Sequence, residues 1–382
     1  MARIILAMSG GVDSSVAAHL LRAAGHEVVG LFMRHGVRAA GTVGATCTLD
    51  ETVPQDSSGS KLPVVRAGKQ GCCSAADAED ARRVAQQLGI PFYVLNFEEE
   101  FESIIEYFVE EYADGRTPNP CIVCNNRLKF GKLFDYADTW GADFVATGHY
   151  ARVGETADGD WGLFAGRDAT KDQSYVLFGI PRDRLARIRF PVGEYSKGAI
   201  RRLATEIGLR VADKPDSQEI CFVPDGDHAA LVRRRRGADT SGEIVTTDGR
   251  VVGRHDGWER FTVGQRKGLG VPLGRPYYVV RLEPKTRRVV LGCREDLARR
   301  ELTACRANWL IDPSSGWIAC QAKIRYRAPA VPARVRPLPD RRLEVVFDQP
   351  CYAVAPGQAV VCYVGDRVIA GGWIEKVDES TA

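Results

Sequence analysis

The sequence predicts an α/β N-terminal half built on a parallel sheet, followed by an all-β C-terminal half. Up to about residue 210, short apolar runs rich in β-branched and aromatic residues alternate with amphipathic stretches of helical period. Beyond about Val211 the pattern changes to short alternating runs punctuated by glycine and proline. At 382 residues the chain exceeds what one hydrophobic core ordinarily serves, so two or three domains are expected.

Taken in order, RIILAM reads as the first strand, SSVAAHLLRAAG as the first helix and EVVGLFM as the second strand. AEDARRVAQQLG is a further amphipathic helix, and FYVLNF and DFVATGH are two more strands of a sheet covered on both faces. Between Arg34 and Cys72 neither period is present, and the Gly-, Ser-, Thr- and Pro-rich stretch reads as a surface excursion in which Cys47 is incidental. GEIVTTDGRVVG, PYYVVRLEP, RRVVLG, RLEVVFDQP and QAVVCYVGDRVIAGGWIEKV form the β-rich remainder. The division expected is residues 1–212 with an insert at about 35–71, a small β-rich central domain over 213–280 and a C-terminal β-barrel over 281–382.

Hydrophobic content of 45% and charged content of 26% are those of a globular protein in water. No apolar run is long enough to span a bilayer, which speaks against a membrane role. The opening MARIILAMSGG is not a charged leader with a cleavage site, and the 11 cysteines are an odd number. A cytoplasmic protein with buried or reactive thiols is therefore expected. The net charge of +3 says little by itself. Arginines at 233–236 and between Lys285 and Arg342, interleaved with Trp309, Trp317, Tyr326 and Trp373, point modestly to a nucleic-acid backbone over a merely solvated face.

Two stretches carry chemistry. AMSGGVDSS, from Ala7 to Ser15, follows the first strand and opens the first helix. Gly10 and Gly11 let the backbone approach an anion, while Ser9, Ser14 and the N–H groups of the helix start supply donors. No lysine follows, so this is not the Gly-x-x-x-x-Gly-Lys loop, nor is it a Gly-x-Gly-x-x-Gly fingerprint. The second stretch, TPNPCIVCNN, sets Cys121 and Cys124 in a Cys-x-x-Cys step after a Pro-Asn-Pro corner. That spacing alone fits a zinc knuckle, a redox pair, half of a cluster site or one nucleophile beside a bystander.

The glycine loop resembles that of the PP-loop ATP pyrophosphatases, whose Ser-Gly-Gly-x-Asp-Ser sequence grips the β,γ-diphosphate so that ATP is cleaved at the α-phosphate. The resemblance implies a Rossmann-like PP-loop domain that binds ATP through Ala7, Met8, Ser9, Gly10, Gly11, Val12, Asp13 and Ser14. Asp13 would help hold Mg2+ on the leaving group, Met33 would lie against adenine, and Gly148 would face the nucleotide.

Further stretches narrow the resemblance to one PP-loop family, the tRNA-specific 2-thiouridylases. They are GLFM, GRTPNP followed by Cys124 and Asn125, ATGHYAR, KDQSY, PVGEYSK, DSQEICF, GQRKGLG, RYR and PGQ, in family order over nearly the whole chain. The implied reaction activates the C2 oxygen of the wobble uridine as an adenylate, which a persulfide sulfur then converts to 2-thiouridine. By position, Cys124 would be the nucleophile and Cys221 the persulfide carrier, with a transient disulfide between them. Asn119, Pro120 and Cys121 would touch the target base. His149, Lys171, Asp172, Gln173, Arg325, Tyr326 and Gln358 would contact the tRNA anticodon stem-loop. A cysteine desulfurase or sulfur-relay protein would supply the sulfur.

Each of these residues has a plainer reading: His149 as a hydrogen-bonded core histidine, Tyr326 as a strand aromatic, Lys171 as a solvated lysine, Cys221 as a buried thiol. A thiol of ordinary pKa, about 8.5, is a poor nucleophile at neutral pH. Lys129, Arg127 and the start of the helix after CIVC are the local candidates for lowering it.

Many family members carry aspartate where this chain has Cys121, so a carboxylate thought to assist proton transfer is missing. Either Cys121 is simply a second thiol, or Cys121, Cys124 and Cys221 together hold a 4Fe-4S cluster. Zinc would need a fourth ligand from Cys72, Cys73 or His149. Two further readings compete: a PP-loop ligase adenylating a small molecule, and an RNA-binding module without catalysis.

Overall fold

The computed structural model describes residues 1–34, 75–216, 220–223, 225–272, 274–313 and 315–377. The insert at 35–71, with Cys47, and the pair Cys72 and Cys73 lie outside the described residues.

The N-terminal half runs β1 (Arg3–Ala7), α1 (Val12–Ala23), β2 (Glu27–Arg34), α2 (Ala75–Leu88), β3 (Phe92–Asn96), α3 (Glu98–Ala113), α4 (Pro120–Cys124), α5 (Leu133–Thr139) and β4 (Phe144–Thr147). A hairpin, β5 (Ala151–Glu155) and β6 (Trp161–Ala165), then leads to β7 (Ile188–Arg189) and α6 (Lys197–Glu206). Strands β3-β2-β1-β4-β7 form a five-stranded sheet whose pairings are all parallel. β1 is apolar on both faces because helices cover both: Ile5 packs with α3, α4 and α5, whereas Ile4 and Leu6 pack with α1 and α2. β1 pairs with β2 on one side and with β4 on the other. The crevice outside the carboxyl ends of β1 and β4 is therefore where such a sheet binds ligands.

After α7 (His228–Arg236), a four-stranded sheet follows, made of β8 (Gly242–Thr246), β9 (Val251–His255), β10 (Tyr278–Glu283) and β11 (Arg288–Gly292). Because β10 pairs with β11, and β11 with β8, the expected junction at residue 280 falls inside a strand. The central sheet runs on to Gly292, a correction the sequence could not supply because short alternating runs do not say which sheet they join.

The remaining strands are β12 (Ala298–Trp309), β13 (Ile318–Lys323), β14 (Val331–Leu338), β15 (Arg342–Tyr352), β16 (Ala359–Val364) and β17 (Arg367–Val377). They close in the order β12-β15-β14-β13-β16-β17, with β17 pairing back to β12. The hairpin β5–β6 adds onto this barrel through the register Arg367↔Phe164 and Val368↔Leu163. One sheet thus joins the N-terminal half to the C-terminal barrel. Gly371 is required there, since a Cβ would stand 2.5 Å from the Phe178 ring.

Candidate active site

The loop after β1 is shaped by its own residues. Gly10 has φ +70, and a Cβ there would lie 2.2 Å from the carbonyl oxygen of Asp77 at the start of α2. The Ser9 backbone N–H donates to Ser14 Oγ at 3.2 Å, and the Ser15 hydroxyl donates to Gly11 O at 2.8 Å, which closes the turn into α1. At the end of β4, Gly148 comes so close that a Cβ would sit 2.7 Å from the Ser14 nitrogen. Alanine at 148 would cover the donors an anion needs. The loop and Gly148 therefore form one cradle of backbone N–H groups at the switch point of the sheet.

Asp13 is held from two sides. Tyr150 donates its hydroxyl to Asp13 Oδ1 at 2.7 Å, and Lys197 Nζ lies 2.8 Å from both carboxylate oxygens. Burial and the neighbouring Asp13 carboxylate raise the Tyr150 phenol far above its usual range, so it stays a donor. Lys197 also meets Asp216 at 2.7 Å, and Asp216 further takes Lys171 at 2.8 Å and Arg201 at 2.9 Å. Lys214 Nζ donates to Gly10 O at 3.0 Å and pairs with Asp77 and Asp80 of α2. The segment that leads to Cys221 is thus tied to the glycine loop at two points.

Burial opposes the charge of Asp216, yet hydrogen bonds from Lys171 and Lys197 outweigh it and bring the carboxyl from 3.8 down to about 2. A carboxyl depressed on folding contributes stability above its unfolded value, and that contribution is lost as pH falls through the folded one. Melting temperature should therefore decline as pH drops from 3.8 towards about 2, and Asp216→Asn should remove part of that decline. Identical acid profiles for both proteins would contradict this assignment.

Asn119 caps α4, its Oδ1 accepting from the Ile122 N–H at 3.3 Å, with Pro120 at the first helical position. The helix does not restart after CIVC, as the sequence reading required. Cys124 has φ −59 and ψ −47, and α4 passes directly into a π-helical stretch, Asn125–Lys132, and then into α5. The helix start is therefore at Asn119, and the correction follows from Pro120 and Asn119 acting together as the initiation signal. Arg127 is turned outward, with Nη1 3.4 Å from Ser103 Oγ. Lys129 Nζ lies 3.4 Å from His149 Nε2, and His149 Nδ1 lies 2.7 Å from Thr147 Oγ1. Burial, with Lys129 adding to it, pushes the His149 imidazole well below 6.5 and keeps it neutral. These contacts link the helix bearing Cys124 to Gly148 and so to the cradle.

Cys124, Cys221, Met33 and Tyr326 all pack, partly buried, against the same core. Phe222 anchors Cys221 there, its ring edge-on to Phe101 at 5.8 Å and to Phe108 at 5.1 Å. Cys121 is exposed. Among the described residues no three His, Cys, Asp or Glu side chains converge on a point that could hold a metal ion. Cys121, Cys124 and Cys221 therefore do not fit a 4Fe-4S cluster here, and His149 completes no zinc site with them.

The side chains expected at tRNA are placed as follows. Asp172 Oδ1 accepts from the Gly166 and Ser174 N–H groups at 3.0 Å, and Gln173 Oε1 accepts from the Tyr150 N–H at 2.9 Å. Arg325 Nη2 donates to Val263 O at 2.7 Å and to Ala353 O at 2.6 Å, which ties the central unit to the barrel. Gln358 Nε2 donates to the carbonyls of Thr117 and Pro118, so the barrel grips the corner before α4. Lys323 Nζ lies 5.7 Å from the centre of the Tyr326 ring. Sequence reasoning gave no role to Tyr150, Lys197, Lys214, Asp216 or Asp77. The first, second and fourth stood inside recognised motifs, whereas Lys214 and Asp77 carried no local signal at all.

The family model described as the tRNA methyl transferase HUP domain matches residues 2–225. The tRNA methyl transferase PRC-barrel domain matches 231–293, and the aminomethyltransferase beta-barrel domain matches 299–374. The tRNA-specific 2-thiouridylase MnmA of Rhodopirellula baltica is 53% identical, covering 98% of this chain and 96% of that protein. The chain belongs to the MnmA family. A second MnmA, from Geobacter metallireducens, is 47% identical over 98% of this chain and 96% of its own. MnmA of Clostridium botulinum is 45% identical, covering 98% of both chains.

Proposed function

We propose that the protein is an ATP-dependent tRNA sulfurtransferase that makes 2-thiouridine at the wobble position. The observation that carries the reading is the meeting, at the ends of β1 and β4, of the glycine-loop cradle with the helix that bears Cys124. Residues 7–14 would bind ATP, with Met33 at the adenine and Gly148 against the phosphates. The carboxylate oxygens of Asp13 suit a hard divalent cation, so Mg2+ would be shared between Asp13 and the diphosphate.

In the first step the C2 oxygen of uridine bonds to the α-phosphorus, and the bond to the bridging oxygen breaks with its electron pair leaving on diphosphate. Cys221 carries the persulfide, which it receives from a cysteine desulfurase or a sulfur-relay protein. Attack of the Cys124 thiolate on the inner sulfur yields a Cys124–Cys221 disulfide and hydrosulfide, which adds at C2 and expels AMP. An external thiol then returns two electrons and reopens the disulfide. Asn119, Pro120 and Cys121 flank the extruded base, an arrangement that a base inside a stacked loop requires. Neutral His149 adds no second positive charge beside the Lys129 ammonium.

The division of labour we infer gives adenylation to residues 1–212, sulfur transfer to that unit together with Cys221, which packs against its core, and tRNA contact to the barrel. Lys171, Asp172, Gln173, Arg325, Tyr326 and Gln358 either face RNA themselves or set the backbone that does. Trp317, 38% exposed with Arg334 and Arg336 against its ring, would add a stacking surface, and Arg334 would be the cation offered to phosphate, since Arg336 pairs with Glu344. A ligase for a small molecule would leave the barrel, joined through β17 to the hairpin β5–β6, without a task. The cytoplasm, where tRNA and reduced thiols meet, is the expected location.

Mass spectrometry of wobble nucleosides from cells lacking this protein tests the reading: 2-thiouridine derivatives should disappear, and their persistence at normal levels would refute it. Binding of tRNA should weaken steeply with salt, as counterion release demands. An affinity unchanged between 50 and 200 mM salt, the range over which about 10³-fold losses are typical of extensive phosphate contact, would remove the barrel's assigned role. Cys121→Asp should retain thiolation, because no step above uses the Cys121 sulfur. Loss of activity in that variant would give Cys121 an essential part.

A further inference from the structure

We infer that Lys197 is a catalytic residue of the adenylation step, its ammonium receiving the departing diphosphate, and that Asp216 positions it. The inference rests on the proposed use of ATP by the glycine loop.

Placement comes first. Lys197 opens α6, which is capped by Ser196 Oγ accepting from the Ala199 N–H, and its own N–H is fixed by Asp168 Oδ2 at 2.9 Å. Ile200 and Ala204 of α6 share a core with Val16 and Ala17 of α1. The root of the Lys197 side chain is therefore set rigidly beside the helix that begins in the cradle. Its side chain is only 11% exposed, and its ammonium reaches Asp13 inside the loop itself.

Chemistry comes second. The loop lacks the lysine that many phosphate loops carry, so it offers a highly charged leaving group backbone N–H groups and serine hydroxyls but no cationic side chain of its own. A compact ammonium with three rotatable donors suits that task. Lys197 is shared between two carboxylates that each have other partners: Asp13 takes the Tyr150 hydroxyl, and Asp216 takes Lys171 and Arg201. Lys197 can therefore turn from Asp13 to phosphate without leaving a carboxylate stranded, and Asp216 keeps it within reach. A lysine present only to neutralise Asp13 would not need the second carboxylate. The ammonium stabilises the charge that leaves with the electron pair of the broken phosphorus–oxygen bond and transfers no proton.

The test separates the two halves of the nucleotide. Titration calorimetry with magnesium diphosphate and, separately, with AMP should show Lys197→Ala losing about 10- to 100-fold in diphosphate affinity, the usual weight of a charge-assisted contact, with AMP affinity unchanged. Lys197→Arg should recover most of the loss, and Asp216→Asn, which keeps the ammonium but frees it, should lose an intermediate amount. Diphosphate binding within twofold of wild type in Lys197→Ala, or an equal loss for AMP, would overturn the inference. If Lys197→Ala does not fold, Lys197→Gln and Asp216→Asn decide, and wild-type diphosphate binding in both refutes it. A wild-type protein that binds both ligands yet releases no diphosphate from ATP in the presence of tRNA would instead sink the proposed function and leave Lys197 to the binding data.

Discussion

Cys124→Ser and Cys221→Ser should each abolish 2-thiouridine formation, by at least about 10³-fold, as loss of a nucleophile does when a second group cannot take over. Serine is nearly isosteric, and both cysteines are only partly buried against the core, so neither exchange should disturb packing. The chemistry cannot survive it. A hydroxyl is hardly ionised at neutral pH and holds no sulfane sulfur. The Cys221→Ser protein therefore accepts nothing from a donor, and the Cys124→Ser protein releases nothing from Cys221. ATP and tRNA affinities should stay within about twofold, because neither ligand depends on these sulfur atoms in the scheme. Single-turnover assays with a sulfur donor, read by nucleoside mass spectrometry, decide the matter. Thiolation retained by either variant would remove the persulfide relay.

Gly10→Ala should destabilise the cradle by at least about 2 kcal/mol and eliminate measurable ATP binding. Two costs add. A left-handed backbone at φ +70 costs an L-residue roughly 1 kcal/mol or more. The new Cβ would also stand 2.2 Å from Asp77 O and 3.0 Å from Asp77 Cα, which is backbone and cannot swing aside. Relief requires moving α2 from the loop, and Lys214 opposes that by pairing Gly10 O with Asp77 and Asp80 at once. Gly25→Ala is the control: φ is +81 but nothing lies within 4 Å, so only the conformational cost applies. Chemical denaturation with nucleotide titration separates the two. Equal stability and equal ATP affinity in both variants would show that the contact with α2 is unimportant.

How much was legible follows from which interactions are local. The strands around Ile5, Val29 and Val145 announce themselves because a central parallel strand must be apolar on both faces. The cradle at Ser9–Ser14 is likewise written locally, since strand end, glycine pair and helix start are contiguous. Cys124 and Cys221 were identified only through resemblance, because an isolated thiol in ICF or IVC looks like any small buried side chain. Gln358 and Arg325 looked like partners for RNA, yet their nearest acceptors are protein carbonyls at Thr117, Pro118, Val263 and Ala353. A polar side chain in a strand-rich region does not declare whether its partner is solvent, RNA or a distant backbone.

The amino-acid order by itself determined the alternation of strands and helices, the glycine loop, a β-rich C-terminal part, and the family to which the chain belongs. The change to β structure expected at about Val211 comes later: α7 intervenes at His228–Arg236, and strands resume only at Gly242. Only the tertiary structure decided that the β5–β6 hairpin joins the C-terminal barrel, that the central sheet reaches Gly292, and that Asp13, Tyr150, Lys197 and Asp216 form one charged network. The physical reason is range. Periodicity and turn chemistry act over a few residues, whereas Lys197 meets Asp13 across 184 positions, and Lys214 meets Asp77 across 137. Pairings of that span are fixed by which surfaces the folded elements bury together, and no local pattern records them.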